Sequence, residues 1–227
     1  VDRVKDDEPS EEAQPQPPAG QSDSVVRFLD RPEQGCLLLA PKHEFDHFKK
    51  NAAILLHTMD MDGGATGVIV DKATAFNVDE MVPGFDDFSE CVLYMGGDDG
   101  KQSVVVVHPH AELEGGRPLG MGLHIGGIAA AKRAVAEGTL EAGSFKFFFN
   151  HVKLTAVDMQ NMLTPDGGWL ALMLPEGEHA ALTLKNSDGE VWRKLNASVK
   201  KERTRAGGVG DGGDAGDGGD GGDGDNE

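Results

Sequence analysis

Short apolar runs, each closed by glycine, aspartate or proline, recur along the middle of this chain and constrain its fold more than any other feature. Runs rich in branched side chains predict buried β-strands, and phenylalanines at period two predict a strand with one aromatic face. Strands are therefore expected at residues 35–42, 53–56, 64–72, 92–95, 103–107, 121–125 and 143–152. A helical turn after Asn77 and helices at 128–138 and 155–163 complete a predicted α+β domain.

The composition changes twice along the chain and divides it into three predicted parts. Residues 1–23 are rich in Pro, Glu, Asp and Gln, and the chain from residue 206 onward is mostly Gly and Asp. Neither end carries enough large apolar side chains to offset its ordering entropy. We expect a disordered acidic arm at 1–23, one folded domain at 24–200 and a disordered acidic tail at 201–227.

The formal net charge of −18 argues against a general nucleic-acid or membrane binder, because phosphates and anionic lipid are repelled. A local exception is the basic segment at 193–205, which the acidic tail follows at once. No apolar run approaches the ~18 to 20 residues that span a bilayer. The sequence thus predicts a soluble protein with no transmembrane segment, in which the tail attracts basic partners.

The aromatic strand offers two interpretations. Phe145, Phe147 and Phe149 share one face at period two, which is typical of a core strand. The same face could stack on single-stranded RNA, but only Lys146 and Lys153 flank it in an acidic domain. We expect the three rings to be core residues.

The segment GGDDGK at residues 96–101 resembles a phosphate-binding loop but departs from its pattern at two positions. Met95 stands where the first glycine belongs, and Gln102 stands where a Ser or Thr hydroxyl should reach the metal. A strand follows the segment, whereas a phosphate loop must open a helix. We predict a Gly/Asp turn between two strands, as a hairpin or another connection, that binds no nucleotide.

A metal site is the alternative that the loop residues leave open. His57, Asp60 and Asp62 follow a strand directly, and His108 ends another strand, so the four could bind a divalent cation if they meet. The simpler interpretation is that the histidines bond to backbone groups while the aspartates favour a turn. No recognised ligand spacing links the four residues, so the simpler interpretation is preferred.

Two weaker chemical candidates are present. The segment HEFDH matches the His-Glu-x-x-His zinc pattern at His43 and His47, but it lies in a short link between strands rather than on a long helix. Cys36 and Cys91 are expected to be buried apolar residues, and a redox pair would require their strands to be neighbours. No catalytic residue and no cofactor is predicted.

The chain resembles the AlgH family (UPF0301, DUF179) of bacteria and plastid-bearing eukaryotes in the order of its segments: GCLLLAP, AAILLHTMDMDGGATGVIVDK, VLYMGGDD, VVVVHP, GLHIGG, FKFFFNHV, GGW and VWRKL. The resemblance covers nearly the whole predicted domain. It implies a single α+β domain whose strongly bent mixed sheet forms a pseudo-barrel with flanking helices. It implies no established enzymatic activity, and it implies a chloroplast location for a diverged eukaryotic member.

The chain departs from the family pattern at three places. Asp71-Lys72-Ala73 replaces Asn-Arg-Pro, and Asp98-Asp99 follows Gly96-Gly97 where the family shows Pro-Val. Asn150-His151 and residues 157–163 replace a Gly-Tyr and a Trp-containing segment. A ligand site at those family positions would be altered here.

These observations predict a non-enzymatic binding or regulatory module that acts through protein–protein contacts, as part of a plastid complex. The alternative is a metal-dependent hydrolase or small-ligand binder that uses the His57, Asp60, Asp62 and His108 loop edge.

Overall fold

The computed structural model describes residues 26–207. Its strands are β1 (Arg27–Phe28), β2 (Leu37–Leu39), β3 (Ala53–Met59), β4 (Ala65–Ile69), β5 (Ala73–Asn77), β6 (Val92–Met95), β7 (Asp99–His108), β8 (Gly116–Gly120), β9 (Leu123–Gly126), β10 (Lys146–Leu154) and β11 (Leu170–Met173). Its helices are α1 (Val78–Met81), α2 (Ile128–Ala136), α3 (Ala156–Met162), α4 (Glu176–Leu184) and α5 (Glu190–Gly207). The arm predicted at 1–23 and the tail beyond residue 207 lie outside the described residues, and α5 continues past the domain end expected at residue 200.

The strands form one large sheet. Its main path runs β1-β11-β2-β3-β4-β10-β7-β9-β8, with β6 paired to β10 and β5 paired to β6. Pairing in the described part is antiparallel except between β6 and β10, so the sheet is mixed. The predicted α+β class is confirmed, and the described helices include none long and apolar enough to cross a membrane.

Strand β10 is where the two halves of the sheet meet. Its first half pairs with β6 along one edge and β7 along the other, whereas its second half pairs with β4. The register shifts between Phe149 and His151, and Asn150 between them has a φ of 62°. This irregularity lets one strand serve two differently oriented halves.

The sheet is open but strongly curled. The β8 strand, at one end of the path, returns to the loop before β2, where Gln34 Nε2 donates to the carbonyl oxygen of Pro118 at 3.0 Å. Gly35 has a φ of 85°, and a Cβ there would overlap the carbonyl oxygen of Leu119. Glycine at this position therefore permits the close approach that turns an open sheet into a pseudo-barrel.

Three apolar clusters hold the fold together. The inner cluster fills the curl with side chains from both halves of the sheet, and α5 contributes Val191, Leu195 and Val199 to it. A second cluster joins β2, β3 and β4 to α3 through Met159, and a third joins β6, β7 and β10 to α2 through Ala131. Helices α2 and α3 therefore flank the sheet on the outside, as the resemblance implies, whereas α5 packs against the inner cluster.

Most of the predicted strands are confirmed, with two corrections. The segments at 92–95 and 103–107 do not form a hairpin, because β6 and β7 lie on opposite edges of β10. The sequence also does not predict β1, β5 and β8, whose residues are mostly exposed. The helices at 128–138 and 155–163 are confirmed as α2 and α3.

Candidate functional site

His57, the first predicted metal ligand, lies at a bulge in β3. Its Nδ1 is 3.1 Å from the hydroxyl of Thr58, and its ring centroid is 6.5 Å from that of His151. Burial lowers the pKa of His57 to about 4, with the charges of His151 and Arg117 acting in the same direction. The side chain is therefore a neutral imidazole at physiological pH.

Asp60 and Asp62 shape the turn between β3 and β4. The backbone N–H of Asp60 donates to the carbonyl of Gly64 at 2.8 Å, and the N–H of Gly64 donates to Asp62 Oδ1 at 3.0 Å. These contacts are those of an aspartate that stabilises its own turn. The carboxylates remain exposed on the surface.

His108 lies in a different environment, within a stack of histidines. Its ring is stacked on those of His110 and His124, with centroids 5.8 and 5.9 Å away. Its Nε2 lies 3.2 Å from the carbonyl oxygen of Gly126, while Nδ1 accepts the N–H of His110 at 3.2 Å. Both nitrogens thus bond to the backbone in the neutral tautomer, and burial lowers the pKa to about 4.

The four candidate metal ligands His57, Asp60, Asp62 and His108 are not grouped with one another in the described residues. In the described part of the chain no three His, Cys, Asp or Glu side chains are grouped so that they could hold a metal ion. His43 and His47 lie in the link at 41–51, which is built of turns rather than a helix, so the zinc pattern lacks the helical face it requires. The carbonyl of His47 accepts a hydrogen bond from Lys72 Nζ at 3.0 Å.

Two of the departures from the family pattern meet, because Asp99 pairs with His151 in the ladder between β7 and β10. The backbone of Gly96 and Gly97 crosses β10 so closely that a Cβ on Gly97 would overlap the backbone of His151. Gly100 and Lys101 lie in the first residues of β7 with φ values of 116° and 48°. The GGDDGK segment is therefore a tight strand connection, and no helix follows it.

The sequence did not reveal a pairing of Ser103 with His151. The Ser103 hydroxyl lies 3.4 Å from His151 Nδ1, across 48 residues of chain. Asn150 Oδ1 accepts the N–H of Gln102 at 2.9 Å beside it. The pair is a long contact held by the β10 irregularity, and no sequence signal links its two partners.

The cysteines are buried and free. Cys36 packs in the second apolar cluster and Cys91 in the third, so they do not share a site. Burial raises the pKa of Cys36 to about 11 and raises that of Cys91 as well. The expectation of burial is confirmed.

Asp71, the third departure, supports the start of α5. Its Oδ2 accepts the backbone N–H groups of Val191 and Trp192 at 2.9 and 3.3 Å, and its carbonyl accepts that of Gly189 at 2.8 Å. Burial raises the pKa of Asp71, while those two N–H donors and the charge of Lys146 oppose the rise. The side chain caps α5 from the distant turn between β4 and β5.

Lys146 is the buried cation of the same region. Its Nζ donates to the carbonyls of Thr183 and Lys185 at 3.0 and 2.7 Å and lies 4.1 Å from the Tyr94 ring centroid. Burial lowers the pKa of Lys146 to about 7, and Asp71 opposes that change. Lys146 thereby holds the C-terminal end of α4 against the sheet.

The surface around α3 is the best candidate for a binding site. Three large apolar side chains are exposed there by 90%, 108% and 63%: Phe45, Met61 and Val157. The turn that carries Met61 reaches the start of α3, since a Cβ on Gly63 would lie 3.7 Å from that of Ala156. We call this surface, formed by Phe45, Met61 and Val157, the α3 face.

The link that carries Phe45 lies along the other end of α3. Glu44 Oε2 accepts the indole N–H of Trp169 at 3.0 Å, and the backbone N–H of Trp169 donates to Met162 at the end of α3. Phe48 of the same link packs against the cluster that contains Met159. The link and the turn therefore flank α3 from two sides.

Carboxylates flank the apolar centre of the α3 face. Asp60 and Asp62 stand on either side of Met61, and Asp158 follows Val157. The Thr155 hydroxyl and N–H donate to Asp158 Oδ2 at 2.7 and 2.9 Å, which lowers the pKa of that carboxyl. The charge of Lys49 lowers the same pKa, so the rim of the face carries three carboxylates together with this lysine.

Comparisons with known proteins agree on the fold. A family model described as AlgH-like (DUF179) matches residues 36–203. A curated relative, the UPF0301 protein BF2109 of Bacteroides fragilis, is 24% identical over 123 residues. That alignment spans 53% of this chain and 61% of the relative's length.

Two solved structures share the architecture. The solution structure of the AlgH protein from Pseudomonas aeruginosa has a TM-score of 0.58 at 16% identity, covering 89% of this chain and all of that one. Protein DIP2367 from Corynebacterium diphtheriae has a TM-score of 0.56 at 20% identity, covering 74% of this chain and 88% of that one. At such identities the likeness concerns the fold alone.

Proposed function

Because this chain belongs to the AlgH-like family, we propose that it is a non-enzymatic binding module that recognises another protein through the α3 face. The observation that carries the proposal is the exposure of Phe45, Met61 and Val157 on segments that adjoin one helix. Exposed apolar side chains that are grouped around one element and bounded by polar groups are typical of a protein interaction site.

The rim indicates the chemistry of the partner. Asp60, Asp62 and Asp158 place negative charge beside the apolar centre, and the whole chain carries −18. A partner with an apolar patch surrounded by lysine or arginine would be complementary, whereas a second copy of this chain would bring like charges together. Long-range attraction from the net charge speeds the approach of a basic partner at low salt.

The resemblance to a family found in plastid-bearing eukaryotes supports a place in a plastid complex. Organelle fractionation of the native source tests this location independently of binding. Recovery of the protein outside plastids would remove the location from the proposal and leave the binding role intact.

The test uses two matched triple variants of the full chain. The first carries Phe45→Ser, Met61→Ser and Val157→Ser. The control carries Phe28→Ser, Phe76→Ser and Met81→Ser, which are also exposed apolar side chains but lie away from α3. The wild-type chain and the two variants are each used to retain proteins from the native source. Quantitative mass spectrometry then identifies the proteins that are lost with the first variant only.

Each such protein is then purified and titrated against the three chains by calorimetry. We expect the first triple variant to weaken binding by about tenfold or more and the control by about twofold or less, since central apolar contacts dominate binding energy. The on-rate should fall as salt rises from about 50 to about 300 mM. Equal losses in both variants, or self-association of the wild-type chain through this face, would contradict the proposal.

A further inference from the structure

A second site lies at the far end of α5, apart from the apolar side chains of the α3 face. A cavity of about 560 Å³ opens between the residues after β2, the loop between α3 and β11, and the last turns of α5. This volume is in the range of pockets that hold small organic ligands.

The ionisable groups that line this cavity are all basic. They are Lys42, His43, Lys200 and Arg203. None of the described residues lining the cavity is an aspartate or glutamate. The chain carries a net charge of −18, so a cavity whose ionisable lining residues are all basic has a local charge opposite in sign to that of the whole chain.

Two of these cations interact with each other. Lys200 lowers the pKa of Lys42, through the interaction between the side chains and through repulsion between their charges. Both side chains are exposed, so neither is forced into this position by burial. An anion between two such groups would convert repulsion into attraction.

The walls of the cavity are apolar and aromatic. Trp169 is 4% exposed, and its indole is fixed by the bond to Glu44. Pro41, Leu163 and Pro165 add apolar surface, and Asn196 adds a neutral polar group. The cavity therefore combines basic side chains with apolar and aromatic lining.

Local contacts hold the cavity in shape without a ligand. Trp192 Nε1 donates to the carbonyl of Ala40 at 2.8 Å, which ties α5 to the end of β2. Gly168 has a φ of 69°, and a Cβ there would lie 3.2 Å from His43 Cε1. A preformed site loses less entropy on binding than one that must be ordered.

We propose that this cavity binds a small organic anion with two or more negative oxygens and an apolar or aromatic body, such as a phosphorylated metabolite. Lys42, Lys200 and Arg203 contact the anionic group, and the body lies against Trp169. The net charge of the chain does not prevent this, because at physiological salt charges beyond about 8 Å are screened while the cations act at contact. The aspartates beyond residue 207 also carry negative oxygens, in their carboxylates. They are therefore a competing source of the anionic group that the cavity binds.

The first experiment titrates the full chain with phenyl phosphate and, separately, with inorganic phosphate by calorimetry. Phenyl phosphate should bind about tenfold more tightly, since only it has a ring for the apolar wall. The double variant Lys42→Ala, Lys200→Ala should weaken the binding of phenyl phosphate by about tenfold or more. The control Lys50→Ala, Lys201→Ala removes the same charge from exposed positions outside the cavity and should change the affinity by less than about twofold.

A second arm repeats the titration with a chain ended after Gly207, and thermal melting checks that every variant folds. Tighter binding by the shortened chain would support the site and identify residues 208–227 as its competitor. Absence of binding in both chains, or equal losses in both double variants, would overturn the proposal. The triple variant of the α3 face should bind phenyl phosphate normally, so the two proposals fail separately.

Discussion

The two ends of α5 differ in the charged groups that they carry and in how those groups are bonded. At the first turn, the buried carboxylate of Asp71 accepts backbone N–H groups from Val191 and Trp192, where the helix dipole favours an anion. At the last turns, the exposed Lys200 interacts with Lys42. Among the described residues that line the cavity there, none is acidic. One end satisfies its charge within the fold, and the other leaves positive charge for something outside it.

This difference separates groups that support the fold from groups that could serve binding. Burial of an ion is costly unless donors or opposite charges surround it, so a buried and bonded carboxylate is evidence of a structural role. Like charges held together at the surface do not stabilise the free protein. Substitutions at the two ends should therefore affect different measurements.

Removing the carboxylate at the first turn should have the largest effect on stability. Asp71→Ala leaves the N–H groups of Val191 and Trp192 without an acceptor in a buried place. Because unsatisfied buried donors cost about 1–3 kcal/mol each, we expect a loss of about 2–4 kcal/mol in the free energy of unfolding. Urea denaturation followed by circular dichroism measures it.

Two further variants sharpen that result. Asp71→Asn retains one acceptor oxygen and should lose only about 1–2 kcal/mol. Asp188→Ala removes an exposed carboxylate near the same helix start and should change stability by less than about 0.5 kcal/mol. If Asp188→Ala costs as much as Asp71→Ala, the capping role assigned to Asp71 is wrong.

Lys146 should make stability depend on pH. Its pKa is lowered from 10.5 to about 7, so between those values the unfolded chain binds a proton that the folded chain has released. Stability from this group is therefore present at high pH and is lost as the pH falls toward 7, with a slope of at most about 1.4 kcal/mol per pH unit. The slope due to Lys146 is best measured between pH 7 and 9.0, the ordinary thiol pKa, because the cysteine thiols titrate as well at higher pH.

The variant Lys146→Met should flatten that slope, because methionine fills a similar volume without a titrating amine. Lys153→Met changes an exposed lysine of the same strand and should keep the wild-type slope. Urea denaturation at several pH values compares the three chains. A slope in Lys146→Met equal to that of the wild type would show that Lys146 does not cause it.

The sequence predicted the strands whose apolar side chains face a core, and it could not predict those that lie at an edge. Residues 53–56 and 104–107 are recognised by their continuous apolar character, and their side chains pack alternately into apolar clusters on both faces of the sheet. Strand β8 contains Arg117 and Pro118 and is defined by pairing with β9 across the turn at Met121 and Gly122, where both φ values are positive. That information lies in the pairing, not in the composition of the strand.

The contacts at the two ends of α5 could not be predicted from the sequence for a related reason. The contacts of Asp71 with α5 span 120 residues, and the approach of Lys200 to Lys42 joins a link to the last helix. Neither pair has a spacing that a motif could record. His57 and His108 each end an apolar run in the sequence, and the structure places them in separate surroundings, beside His151 and His124 respectively.

The smallest expected effect concerns the last turns of α5. If Lys42 and Lys200 repel each other in the free protein, Lys200→Ala should raise the melting temperature by about 1 °C at low salt. The rise should vanish near 1 M salt, where the Debye length falls to about 3 Å.

Lys201→Ala removes the same charge one residue later on an exposed position outside the cavity, so it controls for the change in net charge. Differential scanning calorimetry without phosphate in the buffer resolves such a shift. A lower melting temperature in Lys200→Ala than in Lys201→Ala would mean that this lysine stabilises the fold, and the contrast between the two ends of α5 would then fail.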